Sequence, residues 1–88
     1  MFDQQEIQFA KRMYQEGNLP SEILRFFALQ NQKATVPDLM RLFQEALLLT
    51  YEDVQCIGGW WHDGTGELTD DQLDAFLLSA IAKSHRLG

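Results

Sequence analysis

The chain has one cysteine, Cys56, which excludes an internal disulfide framework and makes a reducing, cytoplasmic setting the expectation. No apolar run approaches the roughly 18 residues that a membrane span needs. The opening Met1-Phe2-Asp3-Gln4-Gln5-Glu6 offers neither the basic nor the apolar segment of a cleavable signal. Neither export nor membrane insertion is expected. The most informative shortage is of positive charge: no Lys or Arg occurs between Arg41 and Lys83. Residues 1–41 balance five acids against five bases, whereas residues 42–82 carry eight acids and no base: Glu45, Glu52, Asp53, Asp63, Glu67, Asp70, Asp71 and Asp74. A field of one sign repels nucleic acid and anionic membrane and favours encounter with cationic surfaces. A solvated acidic face kept for solubility would give the same composition.

What is present fits one folded domain. Eighty-eight residues, 45% of them hydrophobic and 23% charged, give a single core, and only about 60% of the unfolded chain's surface is removed from water at this size. Helix starts are legible as caps. Asp3 precedes Glu6, Thr35 precedes Asp38, Thr50 precedes Asp53 and Thr69 precedes Gln72, each pair spaced for a reciprocal capping box.

Five helices are predicted. The first, over residues 4–16, carries Ile7, Ala10 and Tyr14 on one stripe with Phe9 and Met13 beside it, and Gly17 closes it. The second opens at Asn18-Leu19-Pro20-Ser21 and runs to about residue 30, burying Ile23, Leu24, Phe26 and Phe27. In the third, Leu39, Leu42, Phe43, Ala46 and Leu47 form a core stripe that Leu48 and Leu49 extend toward the next cap. The fourth is short, residues 51–57, ended by Gly58-Gly59. The fifth, residues 70–84, has its stripe at Leu73, Phe76, Leu77, Ala80 and Ile81, with Asp70 and Asp71 at its start and Lys83 and His85 near its end to match the helix dipole. The fold class expected is all-α, a compact orthogonal bundle.

Residues 58–69, Gly-Gly-Trp-Trp-His-Asp-Gly-Thr-Gly-Glu-Leu-Thr, break the helical pattern. Asp63-Gly64 is a type I′ turn signal, so a miniature hairpin pairing 60–62 with 65–68 is expected there. Adjacent tryptophans in extended backbone face opposite ways, so one of Trp60 and Trp61 would enter the core while the other stands out as a binding anchor. Both could instead serve only to cover helix ends.

Several other chemistries can be set against this stretch. With Gly66 at the sixth position of a calcium loop, Asp63, Thr65 and Thr69 fall on ligand positions, but Trp61 and Gln72 occupy the first and twelfth, and the cage loses both ends. Starting instead at Asp63 brings Asp74 to the twelfth position and puts Leu68 where the glycine belongs. Cys56, His62 and Asp63 have the residue types of a nucleophile, base and orienter, but nothing in their spacing fixes His62 near Cys56. A zinc site through Cys56, His62, Asp63 and Glu67 lacks the paired ligands of structural zinc. No metal or cofactor is therefore expected. Helices two and three could mimic a helix-turn-helix, but the third carries one base, Arg41, against Asp38 and Glu45, and phosphate binding needs the reverse.

The sequence thus points to a non-enzymatic, acidic protein-binding module that occupies a basic surface on a partner protein. Its expected contact residues are Glu52, Asp53, Trp60, Trp61, His62, Asp63, Glu67, Asp70, Asp71 and Asp74, the acids raising the encounter rate and an indole holding the complex. In size, class and charge the chain resembles small acidic helical immunity proteins that neutralise bacterial toxins such as cationic nucleases, a likeness of class with no shared motif. The alternatives are a DNA mimic, which would use the acids without the tryptophans, and a degenerate EF-hand-like domain responding to divalent ions.

Overall fold

Reciprocal capping boxes begin four of the helices in the computed structural model, which describes residues 2–30, 34–61 and 65–87, the last four as backbone only. Helix α1 (Gln4–Gln15) starts where Asp3 accepts from the Glu6 N–H at 2.8 Å and Glu6 accepts from the Asp3 N–H at 3.2 Å. Thr35 and Asp38 do the same for α3 (Val36–Leu47), Thr50 and Asp53 for α4 (Tyr51–Val54), and Thr69 and Gln72 for α5 (Asp70–Leu87). Each box satisfies backbone N–H groups that a first turn leaves without partners.

Helix α2 (Pro20–Gln30) begins differently. Leu19 stands at its cap and has no side-chain acceptor to offer; Glu22 reaches back to the Leu19 N–H at 2.8 Å. The cap itself comes from α5: Asp74 accepts from the Ser21 N–H at 2.7 Å and from the Ser21 hydroxyl at 2.8 Å. A carboxylate set against the positive end of a helix dipole needs no separate cation to be stable there.

α1 packs chiefly on α3, and α2 on α5, with α4 and a 3₁₀ helix (Gln55–Gly59) bridging α3 to α5. The core is centred on Leu24, Leu39, Leu42, Phe43, Val54, Ile57, Leu73 and Leu77, all essentially sealed from solvent. Phe2, ahead of the first helix, joins it edge-on to Phe27 with ring centroids 5.3 Å apart. The radius of gyration, 11.8 Å, matches the ~12 Å expected of a compact chain this long. The protein is all-α, and among the described residues no strand forms and no helix is long and apolar enough to cross a membrane.

Three expectations are revised. Phe76 is 55% exposed while Asp74 is buried, because the two flank the Leu73–Leu77 row on opposite sides and turning Asp74 inward to cap α2 turns Phe76 outward. The expected helix over 51–57 is four residues of α4 followed by 3₁₀ turns, since Val54 already leaves helical geometry at φ −97°, ψ 0°. Leu48 does not continue the apolar face of α3: it ends that helix in a left-handed conformation, φ 56° and ψ 46°, with its side chain 78% exposed.

Candidate functional site

The Gly-Trp segment is held by the backbone of the segment that follows it. The Leu68 N–H donates to the Gly59 carbonyl at 2.8 Å, and Gly66 lies so close that an added Cβ would sit 2.7 Å from the Gly59 oxygen and 2.8 Å from both Trp60 Cα and Trp61 N. Only glycine allows that approach. The expected hairpin arms thus run side by side without forming strands, whereas the Asp63-Gly64 turn and His62 fall outside the described residues.

Trp60 fills the core position foreseen for one of the two indoles, at 2% exposure. Its Nε1–H donates to Asp70 Oδ1 at 2.8 Å, which leaves no buried donor unmet. Arg25 of α2 closes the arrangement: its Nη2 lies 2.9 Å from each Asp70 oxygen, and its guanidinium carbon stands 5.7 Å from the Trp60 ring centroid. The Trp60 hydrogen bond, which outweighs the opposing effect of burial, and with it the Arg25 guanidinium hold the Asp70 carboxyl below the usual carboxylate range. Trp61 is half-buried and packs on the edge of the core rather than standing clear of it.

These contacts divide the expected site residues into two sets. Asp74, 6% exposed with both carboxylate oxygens given to Ser21, is a structural cap and leaves the set of surface acids. Asp70 is occupied by Trp60 and Arg25, and Trp60 offers no surface to a partner. Glu52, Glu67 and Asp71 are exposed, as is Glu45, and among the described residues none of them takes part in an ion pair. Asp53 is half-exposed, with one oxygen in the α4 cap. Asp63 lies outside the described residues.

Cys56 is half-buried, its thiol 3.7 Å from the Asp53 carbonyl, and burial raises its pKa. A thiol kept protonated in this way is a poor nucleophile. Of the positions weighed for a calcium loop, Asp74 serves Ser21 and the Thr69 hydroxyl accepts from the Gln72 N–H. Arg25 and Ser21 are the residues the sequence reading missed. Neither carries a local signal, because each meets its partner across 45 and 53 positions of chain respectively. Comparison with known protein families, with curated proteins and with solved structures found no match to this chain.

Proposed function

We propose that this protein is a non-enzymatic, acidic protein-binding module of the toxin-neutralising, immunity type, acting in the cytoplasm by occupying a basic surface on its partner. The observation that carries the reading is the exposure of Glu67 and Asp71: Glu67 directly follows Gly66, which lies against the Trp60–Trp61 backbone, and Asp71 stands in the first turn of α5. Glu52, on the neighbouring α4, adds a third exposed acid. The role of anchor passes from the pair of tryptophans to Trp61, and steering passes to acids that have no ion pair among the described residues. The raised pKa of Cys56 agrees with a non-catalytic role.

Capture of the partner from the native lysate at low and high salt, followed by binding kinetics, tests this. Neutralising Glu52, Glu67 and Asp71 together lowers the association rate by about tenfold or more at low salt with little change in dissociation, while Trp61→Ala speeds dissociation. Association untouched by the triple change would refute steering. The burial of Trp60 gives weight to the DNA-mimic reading: a salt-sensitive complex indifferent to Trp61→Ala would select it.

A further inference from the structure

Two α-helix ends in this protein share one C-terminal motif but not one residue type. After α1, Gly17 takes φ 98° while the Asn18 N–H bonds back to the Met13 carbonyl and the Gly17 N–H to Tyr14. After α3, the Leu49 N–H bonds to the Gln44 carbonyl and the left-handed position is filled by Leu48. Glycine is the residue this geometry favours, because a Cβ there crowds the backbone. Leu48 therefore costs the fold in backbone strain and places an apolar side chain in water, two costs that a contact outside its own core would offset.

Beside Leu48 lie two grooves. One, of about 590 Å³, runs between the ends of α1 and α3 and across to α5, where Tyr14, Leu19, Leu47 and Leu78 present apolar surface. The other, of about 410 Å³, continues along α1 and α3 past Gln8 and Gln44. Lys11, Ala46 and Leu48 form the ridge common to both, and the charged residues lining the two are Lys11 and Glu45. A protruding knob thus stands next to an apolar hole of suitable character, with one cation and one anion alongside. No ion pair joins Lys11 to Glu45 within the chain among the described residues.

We infer that this face binds a second copy of the same chain in an isologous dimer, Leu48 of each copy entering the leucine-lined groove of the other while Lys11 of each faces Glu45 of the other. A two-fold axis beside Leu48 makes both the apolar and the charged contacts reciprocal, which is the requirement for a closed pair. The net charge of −6 opposes self-association at long range, but the grooves themselves hold one charge of each sign, and contact at this face replaces repulsion with attraction. A footprint of the standard size, about 800 Å² per partner, is a modest share of the 5719 Å² surface. The inference is independent of the acidic-face reading, since none of the residues invoked there lies in these grooves.

Sedimentation equilibrium of the full chain from micromolar to millimolar concentration supplies the test. The wild type moves from the mass of one chain to that of two. Leu48→Gly suits the left-handed position, so its urea midpoint stays at or above that of the wild type, yet its dimer dissociates at least about tenfold more readily, the order expected from losing two buried leucine contacts. Lys11→Glu and Glu45→Lys each weaken the dimer when alone, and an equimolar mixture of the two variants forms a heterodimer tighter than either self-pair. A wild type that stays monomeric throughout, its groove left to solvent or to another protein's apolar side chain, overturns the inference. A dimer unaffected by Leu48→Gly overturns it equally.

Discussion

Asp70 is where one residue's ionisation is coupled to the fold. Its carboxyl accepts from Trp60 and Arg25 only in the native state, so its native pKa is lower than the unfolded value of about 3.9. A group depressed in this way stabilises the protein above that unfolded value, and the contribution is lost as pH falls through the native one. Asp38, lowered chiefly by the Thr35 backbone N–H, acts in the same direction. The urea midpoint of the wild type is therefore expected to fall more between neutral pH and about pH 3 than that of Asp70→Asn; equal falls would show that Asp70 is not responsible. The effect is small in absolute size, because the Asp70 side chain remains 44% exposed and solvent screens it. Gly66 sets a steric condition instead. Gly66→Ala drives a methyl into backbone atoms of Gly59, Trp60 and Trp61, none of which can move aside as a side-chain tip would, and a loss of about 1–3 kcal/mol in urea unfolding is expected. A variant of unchanged stability would mean the loop does not depend on that approach.

At the scale of elements, the helices are started by chemistry that is local in four cases and distant in one. Thr50→Ala removes an acceptor used by the Asp53 N–H, and Thr35→Ala removes the equivalent group of α3. Each is expected to cost about 1 kcal/mol by chemical denaturation, the usual worth of such a cap. Asp74→Ala has a larger effect, because it leaves the Ser21 N–H and hydroxyl buried without acceptors and removes one of the polar links between α2 and α5. A loss of about 2–3 kcal/mol is expected, with Asp74→Asn milder since its amide oxygen can still accept one of the two bonds. If Asp74→Ala cost no more than a surface cap, the cross-helix contact would not be what seats α2. The same coupling decides which face of α5 is inward, and so why Phe76 lies in solvent.

For the molecule as a whole, the charge asymmetry read along the chain is not the asymmetry of its surface. Folding brings Arg25 from the balanced half to Asp70 in the acidic half and withdraws Asp74 altogether. Among the described residues of the acidic half, Glu45, Glu52, Glu67 and Asp71 remain exposed, and the slowing of association expected on neutralising Glu52, Glu67 and Asp71 belongs to this scale. A complex whose on-rate ignores ionic strength would separate the acidic composition from any steering role.

The sequence by itself settled what depends on neighbours three or four residues apart. The four capping boxes, the left-handed Gly17, the proline at the start of α2 and the stripe of α3 all follow from hydrogen bonds and packing periods that repeat within a turn or two of helix. What only the tertiary structure decided are the pairings between distant positions: Asp74 with Ser21, Asp70 with Arg25 and Trp60, and Gly66 against the Trp60–Trp61 backbone. Those contacts fix which acids remain outside and which indole is reachable, and no local pattern carries them, because a carboxylate spaced for solvent and one spaced for a buried cap look alike until the helices are packed.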